Sequence, residues 1–364
     1  MNVVAGIEEI RVGAYRLPTG QPESDGTLAW DSTTLVLVEI IAGGVTGIGY
    51  TYADRSAAVL IHDRFVSLLH GHDAFAIPAC WDAMVRAVRN LGRPGIASTA
   101  VSAVDTALWD WKAKYLRLPL SALLGKAHDF VLAYGSGGFT SFTQTQLEQQ
   151  LREWAGQGFP AVKMKVGRDP QSDAQRVAAA RSAIGERTSL FVDANGAYTR
   201  KQALELAQRF AESGVTWFEE PVSADDLPGL RMLRDRAPAG MNISAGEYGW
   251  TVDDFRQLLE HQAVDVLQAD ATRCGGITGF LMAAALCESF HAPLSSHCAP
   301  SLHAPVMCCV RPALHVEYFA DHVRIEQMLF DGAPVARDGR LAPDLSRPGL
   351  GLEFKAGEAA CFRL

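Results

Sequence analysis

The chain has 364 residues, 48% of them hydrophobic and 20% charged, a balance typical of a globular protein with a large buried core. A formal net charge of −8 with no basic run argues against a nucleic-acid partner, and no apolar run approaches the ~20 residues that a membrane helix needs. Seven irregularly spaced cysteines, and acids (Glu8, Glu9) where a secretory signal would be basic, favour a reduced, cytoplasmic protein.

Residues 1–125 predict a first domain in which strands precede helices. Residues 33–41 are rich in strand-forming side chains, and Gly43 and Gly44 predict a turn into a second strand at 45–50. From Ser56 the pattern becomes helical, with an apolar stripe at helical period across residues 98–115. This order of elements is typical of an α+β domain.

Residues 126–335 predict strands that alternate with amphipathic helices. Eight such units predict a (β/α)8-type barrel, and an open doubly wound sheet is disfavoured because no G-x-G-x-x-G motif follows the first strand. In residues 336–364 the alternation stops, and we expect this tail to return to the first domain. The predicted strands are 131–135, 161–166, 189–193, 215–219, 242–245, 264–269, 292–296 and 314–318.

Seven successive predicted strands, from the second to the eighth, end in a side chain that can carry chemistry. Active sites of such barrels lie at the C-terminal ends of the strands, so we expect these groups to converge. A chance charge ends one strand easily, but seven in succession indicate a site. The seven residues are Lys165, Asp193, Glu219, Glu247, Asp270, His297 and Glu317.

Asp193, Glu219 and Glu247 come from three adjacent strand ends and predict a metal site. Two carboxylates about 4 Å apart repel by roughly 4 kcal/mol at an effective dielectric near 20, so three of them need a cation. Oxygen ligands without Cys or His favour a hard divalent ion, which we expect to be Mg²⁺. Glu220 alternates with Glu219 and is expected to face away, into an ion pair. Asn195 is expected to reach a ligand or to form a turn.

Two pairs flank the predicted metal site. Lys163 and Lys165 stand two residues apart on one strand and therefore share a face. The second ammonium and a partly dry site are expected to lower the pKa of Lys165, which makes it a candidate base. Asp270 and His297, from neighbouring strand ends, are expected to hydrogen-bond so that the carboxylate orients the imidazole.

These motifs resemble the enolase superfamily, and specifically its mandelate racemase subgroup, over essentially the whole chain. The muconate-lactonising and dipeptide-epimerase relatives carry a lysine at the sixth strand end, where this chain has Asp270. The motifs are Lys163-Met164-Lys165, Asp193-Ala194-Asn195-Gly196, Trp217-Phe218-Glu219-Glu220-Pro221, Ala245-Gly246-Glu247, Gln268-Ala269-Asp270 with Gly275-Gly276-Ile277-Thr278, Ser295-Ser296-His297 and His315-Val316-Glu317.

The resemblance implies a modified (β/α)7β TIM barrel at 126–335, with an α+β capping domain built from residues 1–125 and the tail, 336–364. It implies one Mg²⁺ per active site, held by Asp193, Glu219 and Glu247. It also assigns the second base to Lys165 and the dyad to Asp270 and His297.

The implied chemistry is Mg²⁺-dependent removal of the proton α to a substrate carboxylate, which gives a stabilised enediolate. Lys163 and Glu317 would hold the carboxylate oxygens, and His297 would expel a β-hydroxyl as water, so that an acid sugar becomes a 2-keto-3-deoxy acid. The alternative is a racemase or epimerase of a 2-hydroxy acid or acid sugar. Two further classes stay open, namely a Schiff-base lyase that uses Lys165 and a non-catalytic binding relative.

The partners implied are a small carboxylate substrate and further copies of the chain, because the family is commonly oligomeric. Substrate choice is expected in the first domain, where residues 18–31 predict a mobile lid. Tyr50, Tyr52 and Arg55 follow the first strands and are candidates to contact the far end of the substrate, with Tyr52 and Asn195 carried forward as substrate-binding residues. His303 and His315 are expected to be structural.

Overall fold

A computed structural model of the protein describes residues 5–364. Its first part is an antiparallel three-stranded sheet of β1 (Ile7–Ser24), β2 (Ala29–Ala42) and β3 (Val45–Tyr52), in that order. Gly43 and Gly44, with φ of 54° and 73°, make the predicted turn between β2 and β3. Both positions require the left-handed conformation, which glycine adopts at little cost.

Helices follow this sheet and pack on one of its faces. The long helix α4 lies so close to β3 that a Cβ on Gly49 would stand 2.2 Å from the carbonyl oxygen of Ala103. The backbones of β3 and α4 are therefore in direct contact at this crossing, and position 49 has no room for a side chain. The helices are α1 (Ser56–Leu60), continued by a π-helical turn (Ile61–Phe65), then α2 (Val66–Leu69), α3 (Ile77–Ala87), α4 (Ile96–Tyr115) and α5 (Leu120–Leu124).

Eight parallel strands then form a closed barrel, because the last strand pairs with the first. The strands lie at nearly the bounds that the sequence predicts: β4 (Val131–Gly137), β5 (Ala161–Lys165), β6 (Ser189–Asp193), β7 (Val215–Glu219), β8 (Asn242–Ala245), β9 (Val266–Ala269), β10 (Leu294–Ser296) and β11 (Ala313–Phe319). The helices around them are α6 (Gln144–Gly156), α7 (Asp173–Ile184), α8 (Arg200–Ala211), α9 (Leu227–Arg236), α10 (Val252–Glu260), α11 (Gly276–Ser289), α12 (Pro300–Met307) and α13 (Ala320–Leu329). The predicted (β/α)7β barrel with a capping domain is confirmed.

Strand register arranges the barrel interior in levels. Lys165 of β5 is paired with Asp193 of β6, and Asp193 with Glu219 of β7, so these three lie on one level at the C-terminal ends. One level below, Phe191 pairs with Trp217, and their rings stack 5.2 Å apart. The level of Lys165, Asp193 and Glu219 therefore packs directly above a layer of aromatic side chains.

The tail returns to the first sheet. A short strand, β12 (Phe330–Asp331), pairs with β14 (Glu353–Phe354), while β13 (Arg340–Leu341) pairs antiparallel with the first two residues of β4. After α14 (Ala356–Ala359) and a single 3₁₀ turn (Ala360–Phe362), the backbone N–H of Leu364 donates to the carbonyl oxygen of Ala14 in β1. Both ends of the described chain thus meet in the capping domain.

Residues 18–31, expected to form a mobile lid, are the paired ends of β1 and β2 and the turn between them. The hairpin tip contacts the barrel, because Ser24 Oγ lies 2.6 Å from Thr140 Oγ1. A Cβ on Gly26 would stand 2.7 Å from the carbonyl oxygen of Val166 and 2.6 Å from that of Ala194. The segment is therefore a hairpin, with an irregularity in strand pairing between Pro18 and Glu23, seated over the C-terminal ends of the barrel strands. Within residues 5–364, no helix is long and apolar enough to cross a membrane.

Candidate active site

The three acids expected to bind a metal lie together at the mouth of the barrel. Oxygens of Asp193, Glu219 and Glu247 fall within 4.8 Å of one another, and all three residues are buried. Oε2 of Glu247 is buried and makes no hydrogen bond, although the imidazole of His297 approaches it to 3.4 Å. Burial, and then the neighbouring Asp193, raises the pKa of Glu219 to about 8. A donor set made only of carboxylate oxygens, one of them unpaired, fits a hard divalent cation such as Mg²⁺.

The two lysines of β5 approach this cluster from one side. Nζ of Lys163 lies 2.7 Å from Oε1 of Glu219 and 2.8 Å from Oε1 of Glu317, and Nζ of Lys165 lies 2.5 Å from Oδ2 of Asp193. Lys163 is fully buried, whereas Lys165 is partly open to the cavity described below. Lys163 is therefore fixed among anions, and Lys165 is the amine that a substrate can reach.

The expected depression of the Lys165 pKa is wrong for this structure. Burial lowers the pKa of Lys165, and so does the ammonium of Lys163, but the carboxylates of Asp193, Glu247 and Glu219 together raise it by more, so that the net pKa lies above the ordinary value. The sequence argument weighed the like charge and the dry site without weighing the carboxylate in direct contact.

The imidazole of His297 approaches from another direction. Its Nδ1 lies 2.8 Å from Oδ2 of Asp270, and its Nε2 lies 3.4 Å from Oε2 of Glu247. Burial lowers the pKa of His297, and so does Arg273, but the carboxylates of Glu247, Asp270 and Glu317 together raise it by more, so the net shift is upward. Asp270 also accepts from the backbone N–H of Thr272 at 2.7 Å. The carboxylate is thus held on two sides and in turn holds the imidazole.

Glu317, expected to hold a substrate carboxylate, is engaged by the protein itself. Its Oε1 accepts from Ser136 Oγ at 2.5 Å and from Lys163, and its Oε2 accepts from the backbone N–H of Cys298 at 2.9 Å. The residue is 1% exposed. These contacts place Glu317 behind Lys163, where it fixes the ammonium.

Asn195 and Tyr52 both line the cavity at the barrel mouth. Asn195 has a φ of 46°, donates its backbone N–H to Asp193 Oδ1 and keeps a buried side-chain oxygen without a partner. The hydroxyl of Tyr52 lies 3.3 Å from Oε1 of Glu326, and its ring stacks on His322, so Tyr52 offers its ring to the cavity. Tyr50 is buried against Glu326, and Arg55 is exposed outside the cavity lining, so neither is a substrate contact here.

The histidines left as structural are enclosed by the protein. Nε2 of His303 accepts from the backbone N–H of Ala271, and Nδ1 of His315 lies 2.8 Å from Ser295 Oγ.

Sequence reasoning missed Arg273, which lines the cavity. Its Nη1 lies 3.1 Å from the carbonyl oxygen and 3.3 Å from Oε1 of Glu247, and its Nε lies 3.7 Å from Oδ2 of Asp270. A signal was present, because Arg273 follows Asp270 by three residues in the loop after β9. That loop had no regular period from which its direction could be predicted.

Glu220 is also placed differently from the expectation. It follows the last residue of β7 with a φ of 36°, so strand alternation no longer sets its direction. The side chain is buried, and its Oε1 has no hydrogen-bond partner. Burial, and then Glu247, raises the pKa of Glu220 well above its usual value. The predicted ion pair is wrong, and Glu220 instead crowds the carboxylate cluster.

A cavity of about 370 Å³ joins these groups to the capping domain. Its barrel side carries Lys165, Asn195, Glu247, Arg273 and His297. Its other side comes from the β1–β2 hairpin and the end of β3. An amine and an imidazole thus open on one space beside the carboxylate cluster, which is the arrangement needed to move protons at a carbon next to a carboxylate.

Comparisons with known proteins place this geometry in context. Residues 146–359 match the family described as enolase C-terminal domain-like, and residues 16–125 match the mandelate racemase / muconate lactonizing enzyme N-terminal domain. A 3,6-anhydro-alpha-L-galactonate cycloisomerase of Streptomyces coelicolor is 35% identical over 299 residues, which cover 80% of this chain and 82% of that protein. An L-talarate/galactarate dehydratase of Salmonella typhimurium is 32% identical over 349 residues, 92% of this chain and 86% of that one.

Solved structures agree with this likeness. A mandelate racemase/muconate lactonizing enzyme-like protein from Rubrobacter xylanophilus superposes with a TM-score of 0.96 at 53% identity, over 98% of this chain and 99% of that chain. A racemase from Streptomyces coelicolor with bound magnesium superposes with a TM-score of 0.93 at 31% identity, over 98% of this chain and 100% of that chain.

Proposed function

Because the chain belongs to the mandelate racemase subgroup of the enolase superfamily, we propose that it dehydrates an acid sugar to a 2-keto-3-deoxy acid with the help of Mg²⁺. Its relatives are dehydratases, cycloisomerases and racemases, so the chain is an enzyme of this group. The observation that carries the proposal is that Lys165 and His297 open on one cavity beside three converging carboxylates.

Asp193, Glu219 and Glu247 are the proposed magnesium ligands. Mg²⁺ bound there would hold the substrate carboxylate and stabilise the negative charge that develops as the α-proton leaves. A neighbour with bound magnesium and the buried, unpaired Oε2 of Glu247 support this assignment. Lys163, fixed by Glu219 and Glu317, adds a permanent positive charge beside the same oxygens.

The proton transfers fall to the two groups on the cavity. Lys165 accepts the α-proton through Nζ once it has lost its own proton; a cation on Asp193 would favour that loss, because it would neutralise the carboxylate that does most to raise the pKa of Lys165. The protonated imidazole of His297, supported by Asp270, then donates its Nε2 proton to the β-hydroxyl oxygen; the C–O bond breaks and water leaves. The enol that remains tautomerises to the keto acid. Proton balance is complete, because one proton is gained by the amine and one is lost by the imidazole.

Racemisation or epimerisation is the second candidate. It needs no additional residue, since His297 can return a proton to the α-carbon instead of to a hydroxyl. This alternative is supported by the likeness to a racemase and by the two acid–base groups, Lys165 and His297, on one cavity.

A screen of aldonic and aldaric acids with Mg²⁺ tests the proposal. Wild type is expected to form a semicarbazide-reactive keto acid from at least one of them, and the Lys165→Ala and His297→Asn variants are expected not to. Exchange of the α-proton for deuterium without any keto acid would select the epimerase. The absence of both reactions with every acid would refute the enzyme proposed.

A homo-oligomeric, cytoplasmic protein is also part of the proposal. The free state of the seven cysteines is consistent with a reducing compartment.

A further inference from the structure

The two walls of the cavity differ in charge. The barrel wall is of mixed charge, because it carries Lys165, Arg273 and the imidazole of His297 together with the carboxylates of Glu247 and Asp270. The charged side chains that the capping domain contributes to the same cavity are Asp25 and Asp54, both acids. A substrate whose carboxylate lies at the barrel wall therefore directs its far end toward negative charge.

The acids of the cap wall are held in place by local hydrogen bonds. Oδ1 of Asp25 accepts from the backbone N–H groups of Thr27 at 2.6 Å and Leu28 at 2.7 Å, which fixes the carboxylate at the hairpin turn. Oδ1 of Asp54 accepts from the backbone N–H of Ser56 at 2.8 Å, and hydrogen bonds from Ser56 lower the pKa of Asp54. In each case the bonds that fix the side chain are made by Oδ1, and Oδ2 remains as an acceptor.

The cations of the barrel wall are already committed to carboxylates. Lys165 contacts Asp193 at 2.5 Å, and Arg273 contacts Glu247 at 3.3 Å. Both contacts lie on the barrel side of the cavity, at carboxylates of the proposed metal site. The far end of a substrate thus meets no cation from these two residues.

A further histidine, His322, faces this part of the cavity and is neutral. Its Nδ1 accepts from the backbone N–H of Ala299 at 3.2 Å, which leaves the proton on Nε2. Burial, and then the charge of His297, lowers the pKa of His322 to about 3. The ring is held face to face with Tyr52 at 3.4 Å. His322 therefore offers an uncharged donor, which suits a hydroxyl oxygen.

We propose that the cavity selects acid sugars with a single carboxylate and an uncharged, hydroxyl-bearing far end, and discriminates against diacids. This inference rests on the proposed function and sharpens it. Hydroxyl groups can donate to Asp25 and Asp54 and accept from His322, whereas a second carboxylate can only be repelled by the two acids. The hydroxyl of Thr33 and the indole of Trp30, on the same wall, are likewise uncharged.

Matched substrate pairs test the proposal, namely D-gluconate with D-glucarate and D-galactonate with galactarate. Each pair differs at the sixth carbon, which is a hydroxymethyl group in one member and a carboxylate in the other. With Mg²⁺ in D₂O, α-proton exchange and keto-acid formation are expected to have a kcat/KM higher for the monoacid by about 10- to 100-fold. A diacid that reacts as fast as its monoacid partner, or faster, would overturn the inference while leaving the proposed function intact.

Variants that remove a charge distinguish electrostatic repulsion of the diacid from a steric exclusion of it. Asp25→Asn and Asp54→Asn each keep an acceptor oxygen for the turn and remove one negative charge. Each is therefore expected to lower the ratio of the monoacid kcat/KM to the diacid kcat/KM. Asp31→Asn removes the same charge from an exposed position on the same hairpin and is expected to leave the ratio unchanged. An unchanged ratio in both cavity variants would overturn the electrostatic argument.

Calorimetry with the Lys165→Ala variant and Mg²⁺ measures the Kd of the monoacid and of the diacid when neither is turned over. A lower Kd for the monoacid supports the inference, and an equal or higher one overturns it. If no acid exchanges its α-proton, the proposed function is refuted. The ratio of the two Kd values would still show whether the cavity prefers the monoacid.

Discussion

Nδ1 of His297 lies 2.8 Å from Oδ2 of Asp270, and the same carboxylate group is fixed by the backbone N–H of Thr272. The imidazole therefore directs Nδ1–H at the carboxylate and presents Nε2 to the cavity. This pair fixes which ring nitrogen faces the cavity and supports the charged form of the ring.

Replacing Asp270 with Asn is expected to lower water loss on the order of 10²–10⁴-fold, because the imidazolium loses its carboxylate partner and its orientation. Steady-state formation of the keto acid measures this effect. The His297 pKa should fall in the same variant, since Asp270 is one of the three carboxylates that raise it. A variant with wild-type turnover would show that the dyad is structural.

Lys165→Ala and His297→Asn are expected to separate the two proton transfers. Without the amine, removal of the α-proton is expected to fall on the order of 10²–10⁴-fold, and no later step can follow. Without the imidazole, α-proton exchange is expected to continue while water loss stops. Proton NMR in D₂O follows exchange and elimination in one sample. Loss of exchange in the His297 variant alone would assign the base to the imidazole instead.

Magnesium is expected to stabilise the fold as well as to support turnover. An ion bound only to the folded state adds about 2.7 kcal/mol at one hundred times its Kd, so Mg²⁺ should raise the Tm of EDTA-treated protein. Glu247→Gln removes one proposed ligand and should abolish most of that rise. Glu205→Gln, an exposed change on α8, serves as the control and should keep it. An equal rise in both variants would argue against the carboxylate cluster as the site.

Acid is expected to destabilise the protein partly through His322. Its pKa is lowered to about 3 in the folded chain, whereas an unfolded His has a pKa near 6.5. Between these values the unfolded state binds one more proton, so stability falls as pH falls, by up to about 1.4 kcal/mol per pH unit. His322→Gln should therefore show a shallower drop in Tm between pH 6.5 and pH 4 than wild type. Parallel curves would contradict the buried, neutral histidine.

The contact between β3 and α4 predicts a steric effect. A methyl group at position 49 would stand 2.2 Å from the carbonyl oxygen of Ala103, so Gly49→Ala is expected to destabilise the protein by about 1–3 kcal/mol or more. Gly20→Ala, in the same sheet, meets nothing within 4 Å and is the matched control. Thermal melts of the two variants should differ clearly; similar values would mean that the helix shifts without cost.

The barrel and most of the candidate site could be predicted from the sequence because strand periodicity is local. A strand such as β6 ends at Asp193 whether its neighbours are known or not, and parallel pairing then brings successive ends to one level. Loops have no such period. Arg273 and Glu220 lie just beyond strand ends, and their directions depend on backbone angles and contacts made far along the chain. The direction of the Lys165 pKa shift is likewise not predictable from the sequence, since it depends on the distances from Nζ to carboxylates of other strands.

The hairpin tip over the barrel mouth has a consequence for protein engineering. Gly26 lies against the carbonyl oxygens of Val166 and Ala194, the residues that directly follow Lys165 and Asp193. A hairpin transplanted from another enzyme to change selectivity would therefore need glycine at this position. Any larger residue would push on the main chain beside Lys165, the proposed base, so that a graft intended to alter recognition is expected to disturb turnover as well.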